Sequence, residues 1–219
     1  MKGGKLLSNK KKTCILKPAI KCKGETLKSN ETISKIFLGE GSKEKSYREI
    51  DINYIIKNIK GSNQWSLTFD YLCEPLNYND SLKLDNDISL CFKSIKNNEK
   101  KELYDSTAKM LVGKYGGITF NEYFNDTFKT VNNLSKKFYN CMKNLKNVLY
   151  GLKILNDNDI SHFDIKYDNI VFKNNKLKII DFGISNYIYD IEFFKLISEK
   201  EKKSNRIYIW YPIEFIFNN

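Results

Sequence analysis

Four polar side chains, Asp164, Lys166, Asn169 and Asp181, fall close together in an otherwise apolar and turn-rich stretch. The first three lie in Ser161-His-Phe-Asp-Ile-Lys-Tyr-Asp-Asn-Ile-Val-Phe172, and Asp181 opens the Asp-Phe-Gly that follows Lys178-Ile-Ile. Carboxylates and an amide oxygen suit a hard divalent cation, and a lysine beside them can neutralise phosphate. Phosphoryl transfer asks a protein mainly to hold two oxygens in line and offset phosphate charge. It needs carboxylates for metal, a cation for phosphate and an acceptor for a hydroxyl proton. This short stretch contains all three.

The surrounding pattern predicts how these groups are held. Between Leu134 and Leu155, Phe138, Met142, Leu145, Leu149 and Leu152 recur at helical spacing, which predicts one long helix packing its apolar stripe into the core. Asn156-Asp-Asn-Asp ends it, so the reactive groups fall on a loop bounded by short strands at 170–172 and 177–180. Upstream, strands are expected around Cys14–Leu16 and Thr32–Phe37. A helix from Lys43 to Ile59 follows, with Glu49, Ile52, Ile56 and Ile59 on one face. A carboxylate on an apolar face needs a buried cationic partner. Residues 61–108 read as strands with an insertion. Lys109 to Gly117 reads as an apolar strand ending in a double-glycine turn, and Ile118–Phe124 as the start of a helix.

With 219 residues, 41% of them hydrophobic and 14% aromatic, the chain has enough apolar surface for one sizeable core or two lobes. Its formal charge of +11 comes almost entirely from lysines spread along the sequence, which reads as a solvated surface rather than a nucleic-acid tract. The cysteines Cys14, Cys22, Cys73, Cys91 and Cys141 are odd in number, irregularly spaced and without a Cys-x-x-Cys pair. They are expected to be reduced, with neither a zinc site nor a disulfide framework. No apolar run is long enough for a signal peptide or membrane span, so the expected location is cytoplasmic.

The catalytic-loop stretch followed by Asp-Phe-Gly closely resembles the core of a protein kinase, where the pattern is His-Arg-Asp-Leu-x-x-x-x-Asn and then Asp-Phe-Gly. The resemblance implies that Asp164 meets the substrate hydroxyl, that Lys166 lies near the transferred phosphate, and that Asn169 and Asp181 bind magnesium. Lys35, in Thr-Ile-Ser-Lys, looks like the strand lysine that contacts nucleotide phosphates. Glu49 is its helix partner, with Glu44 the alternative acid off the apolar face. Lys114, Tyr115 and Gly116 resemble the hinge that holds adenine, and Pro-Ile-Glu ending at Glu214 resembles the close of an activation segment. The implied fold is α+β and two-lobed: a β-rich N-lobe over 13–116, with an insertion at 61–108 and a hinge at 113–117, and a mainly helical C-lobe over 117–219. ATP, Mg2+ and a protein substrate bearing Ser or Thr are the implied ligands. Segment order, lysine-rich composition and Lys-Tyr-Gly-Gly look most like the divergent Ser/Thr kinase-like proteins of large DNA viruses, which extends the expected location to host cytoplasm or virion.

Three features depart from the pattern. No Gly-x-Gly-x-x-Gly is present, and Pro18–Gly24 takes its approximate place. Phe163 replaces the arginine that normally pairs with a phosphorylated activation loop. The sequence stops soon after Glu214, so the C-lobe reads as short, to be completed by a partner chain if this is not a fragment. A pseudokinase or scaffold that binds nucleotide or proteins is therefore the alternative to an active Ser/Thr kinase. A basic nucleic-acid binder is the weaker third reading, resting on charge alone.

Overall fold

The computed structural model describes residues 5–10, 12–25, 30–92, 95–130 and 132–190. The Pro-Ile-Glu segment with Glu214 and the aromatics Trp210, Tyr211, Phe215 and Phe217 lie outside them. The architecture is mixed α and β, as a kinase-like fold requires, and divides into two compact units, one built from residues 1–55 and 68–115 and the other from 56–67 and 116–219. The end of the first helix and the segment after it, Ile56–Leu67, group with the residues from Gly116 onward.

Unit 1 is an antiparallel sheet of five strands: β1 (Lys5–Lys10), β2 (Thr13–Lys17), β3 (Thr32–Phe37), β4 (Phe69–Cys73) and β5 (Lys109–Lys114), in the order β1-β2-β3-β5-β4. Side chains alternate between the faces of a strand. One face therefore carries Cys14, Leu16, Ile36, Met110 and Val112, while Lys35 and Leu111 belong to the other. Helix α1 (Ser42–Asn58) forms where the apolar spacing predicted it. It buries Glu49, Ile52, Asn53 and Ile56 and leaves Ile59 half-buried just beyond its end.

Within 61–108, expected to hold strands with an insertion, β4 is followed by residues 74–108. They hold no strand among the described residues. They form helix α3 (Tyr78–Leu84), a 3-10 turn over Asn86–Leu90 and helix α4 (Asn97–Thr107), and Ile88, Cys91, Phe92, Tyr104 and Ala108 cover the Cys14 face of the sheet. Pro18–Gly24 also needs correcting. The β1–β2 hairpin, with only residues 11 and 12 between its strands, precedes it, so the segment links β2 to β3 and buries Ala19, Ile20 and Cys22 in the same core.

The cysteines overturn the expectation of reduced thiols. Cys14 is bonded to Cys91 and Cys22 to Cys73, with Cα separations of 5.6 and 5.9 Å, and Cys141 is the free thiol. The partners lie 77 and 51 residues apart, so spacing carried no sign of pairs that only the folded sheet brings together.

Unit 2 is organised on helix α6 (Leu134–Asp157), with α2 (Ser62–Trp65), α5 (Phe120–Phe128) and a three-stranded sheet of β6 (Ile118–Thr119), β8 (Ile170–Lys173) and β9 (Lys176–Ile179). The face of α6 is not the expected one. Cys141, Val148, Gly151 and Leu155 are buried, Leu145 and Leu152 are half-buried, and Phe138, Met142 and Leu149 are 59, 48 and 63% exposed. The cause is Trp65, fully buried against Gly151: a Cβ at 151 would lie 2.7 Å from its Cε3. Close approach at a glycine turned the helix away from its most apolar stripe. No helix among the described residues is long and apolar enough to cross a membrane.

Candidate active site

The loop that resembles a kinase catalytic loop is built between β7 (Ile160–Ser161), which pairs with β10 (Asn186–Tyr187), and a 3-10 turn over Tyr167–Asn169 that runs directly into β8. Asp164 is buried, and each of its carboxylate oxygens lies 2.8 Å from Lys166 Nζ. Asn169 closes the loop from the other side: its Nδ2 donates to Asp164 Oδ2 at 2.7 Å and to the Asp164 carbonyl at 2.9 Å. Those bonds occupy the donor end of the amide and leave Oδ1 as its acceptor. Three side chains thus fix one another within six residues of sequence.

Asp181 is positioned through the residue before it. Ile180 donates its N–H to the Asn169 carbonyl at 2.9 Å, and its carbonyl accepts from His162 Nε2 at 3.0 Å. His162 Nδ1 accepts the Asp164 N–H at 3.2 Å, which assigns the ring proton to Nε2. Burial pushes the His162 pKa below its ordinary value, keeping the ring neutral and able to serve as donor and acceptor together. Phe182 lies against the ring with centroids 4.9 Å apart, and Ser185 Oγ donates to the His162 carbonyl. His162, Phe182 and Ser185 were not among the expected site residues. All three lie within the motif region, so only their bonds were hidden.

Two backbones here are in the left-handed region: Phe163 at φ 60° and Asp181 at φ 62°. For a bulky residue such as Phe this costs on the order of 1–3 kcal/mol, and such positions persist where the surroundings over-determine them, commonly at functional sites. Phe163 is buried and carries no cation, so position 163 cannot pair with a phosphate on the activation segment.

In unit 1, Lys35 Nζ lies 2.8 Å from both carboxylate oxygens of Glu49, with side chains 10 and 2% exposed. This is the partner that the inward carboxylate required. Glu44 is exposed in the first turn of α1. Asn53 anchors the helix, donating to the Glu49 carbonyl and accepting the Phe69 N–H at 2.8 Å, a role the sequence did not reveal. Lys114, the last residue of β5, is exposed. The Tyr115 N–H donates to the Glu31 carbonyl at 2.8 Å, and Lys17 Nζ lies 3.5 Å from the centre of its ring. That N–H is therefore used within the protein. A Cβ at Gly116 would meet Val171 Cγ2 at 2.6 Å. One at Gly117, where φ is 95°, would meet the Phe172 carbonyl at 2.1 Å, so close packing against β8 requires both glycines.

A fold with this loop, this Asp-Phe-Gly turn and a buried strand-lysine to helix-glutamate pair defines the kinase class. The family model described as protein kinase domain matches residues 38–198, and the chain belongs to that family. Two curated relatives come from Acanthamoeba polyphaga mimivirus. "Putative serine/threonine-protein kinase L268" is 33% identical over 125 residues, 56% of this chain and 19% of that protein. "Putative serine/threonine-protein kinase L670" is 46% identical over 43 residues, 20% of this chain and 8% of that protein. The chain thus spans a minor part of each relative's length. Their viral source agrees with the resemblance read from the sequence.

Proposed function

We propose that this chain transfers the γ-phosphate of ATP, with Mg2+, to Ser or Thr of a protein substrate. The observation that carries the reading is the interlocked set Asp164, Lys166 and Asn169, with Asp181 held through Ile180. The donor set fits the implied ligands: the Asp181 carboxylate and Oδ1 of Asn169 are hard oxygen donors. Magnesium commonly takes only one or two protein ligands and leaves its other positions to water and phosphate. Bound there, the ion would neutralise phosphate charge.

The chain's own residues do the rest. Asp164 accepts the hydrogen bond of the acceptor hydroxyl, orients its oxygen and takes up its proton. Lys166, already on the same carboxylate, offsets charge at the phosphate being transferred. Lys35, kept extended by Glu49, binds nucleotide phosphate, and residues 114–116 hold the base. A lysine two places after the loop aspartate favours Ser/Thr over Tyr as acceptor within this resemblance. The working location is host cytoplasm or virion, the partner is the protein substrate, and nucleic acid has no part in the reaction.

The test is phosphate transfer from Mg-ATP to a mixed protein acceptor, followed by identification of the modified residue. Magnesium-dependent phosphoserine or phosphothreonine, lost in Asp181→Ala, is expected. Phosphotyrosine alone, or transfer only to small molecules, contradicts the assignment. One observation favours a nucleotide-binding pseudokinase as the second reading. The stretch from β1 to β2, residues 5–17, carries no glycine, whereas the family covers the nucleotide phosphates with a Gly-x-Gly-x-x-Gly loop. ATP that stabilises the chain without being turned over would identify that case.

A further inference from the structure

The face of the unit 1 sheet opposite Lys35 is closed by residues 74–108, and Cys14–Cys91 crosses that contact with Cys22–Cys73 beside it. Cys14, on β2, reaches Cys91 just after the 3-10 turn. Cys22, in the β2–β3 connection, reaches Cys73 at the end of β4, where residues 74–108 begin. Cys14, Cys22 and Cys91 belong to one buried cluster with Ile88, Phe92 and Tyr104, and Cys73 packs against it.

The Cys14–Cys91 pair is held by more than its own bond. Asn9, which stands opposite Cys14 in the β1–β2 register, donates through Nδ2 to the Leu90 carbonyl at 2.7 Å and accepts the Phe92 N–H at Oδ1 at 3.0 Å. Its amide therefore grips the backbone on both sides of Cys91 and presents that cysteine to Cys14. Phe92 is buried with φ 57°, a conformation that bulky residues avoid unless their surroundings impose it. Leu6 N–H adds a bond to Asp87 Oδ2 at 2.9 Å.

We propose that residues 74–108 form a redox-latched cap, held on the sheet by Cys14–Cys91 in the working protein, with Cys22–Cys73 pinning the β2–β3 connection to the strand from which the cap leaves, and released stepwise when both bonds are reduced. Each bond forms as two thiols lose two protons and two electrons to a small disulfide such as oxidised glutathione, which leaves as two thiols. Reduction by a dithiol runs the exchange in reverse. Access sets the order: Cys73 is half-buried, whereas Cys14 and Cys91 are fully buried, so Cys22–Cys73 opens first and Cys14–Cys91 only as the cap lifts. Of the two proposed locations, such a domain suits the virion rather than a thiol-reduced host cytoplasm.

The full chain, equilibrated with oxidised and reduced glutathione, is exposed to graded dithiol and then alkylated in denaturant. The expected thiol count rises from one, Cys141, to three and then five. Trypsin is expected to cut within 74–108 only in the five-thiol form, and full reduction to lower the unfolding midpoint by about 10 °C. Cys14→Ser and Cys91→Ser, alone or together, should lose the same stability, with a starting count of two thiols in each single variant and one in the double variant. Peptide mapping should show Cys14 joined to Cys91. Five thiols after oxidation, other pairings, or a reduced chain with unchanged proteolysis and midpoint would overturn the proposal.

Discussion

The two units hold their charged groups in opposite ways. In unit 2, Asp164, Lys166 and Asn169 come from one short loop and bond to one another, and Asp181 is tied in through backbone bonds of its neighbour. In unit 1, Lys35 and Glu49 meet only because a strand and a helix pack together, and the ion pair is buried. The first arrangement depends on loop geometry, the second on tertiary packing. Substitutions in unit 1 should therefore register first as lost stability, and those in the unit 2 loop first as lost turnover.

The sharpest way to break this contrast is Lys35→Met. Removing one member of a buried ion pair leaves the other unpaired and costs about 3–5 kcal/mol. The denaturant midpoint should fall accordingly, and Lys35→Met/Glu49→Leu should recover most of the loss. A Lys35→Met chain as stable as the parent would mean that the pair is not buried in solution. In unit 2 the corresponding packing test is Gly151→Ala, which places a methyl group against Trp65 and should cost about 1–3 kcal/mol by overpacking. Leu149→Ala, on the exposed stripe of the same helix, should cost under about 0.5 kcal/mol. If Leu149 proved the costlier position, the assigned face of α6 would be wrong.

A smaller effect concerns His162, the sole histidine, whose folded pKa lies below 6.5 because it is buried. As pH falls through that value, the unfolded chain binds a proton that the folded ring refuses. Stability is therefore fully present above the unfolded pKa and falls as acid is added, by at most about 1.4 kcal/mol per pH unit. Unfolding midpoints between about pH 5 and 7.5 should show this slope, and the imidazole proton shifts should not move until below 6.5. A ring titrating at 6.5 or above would remove the tautomer assigned to it.

The same contrast explains what the sequence disclosed. The unit 2 loop was legible because its residues are neighbours and their spacing is itself the geometry. Glu49 could be placed on the inner face of α1 because helical periodicity is local, and a strand lysine then met the need it created. What was missed is tertiary. The pairs Cys14–Cys91 and Cys22–Cys73, the helical cap at 74–108 and the place of Pro18–Gly24 after the hairpin all depend on which strands become neighbours. On α6 the apolar stripe pointed the wrong way, because the close approach of Trp65 to Gly151 outweighed hydrophobicity, and a glycine contributes nothing to an apolar pattern.

We propose that the unit 2 loop performs chemistry rather than merely keeping the shape of its family. Its most direct test is the steady-state rate of Mg-ATP turnover by the full chain beside Asp164→Asn. Magnesium-dependent turnover should fall roughly a hundred- to ten-thousandfold in the variant, far more than the loss of the Asp164–Lys166 ion pair lowers the folded fraction. Equal rates in the two proteins, or turnover indifferent to magnesium, would contradict it.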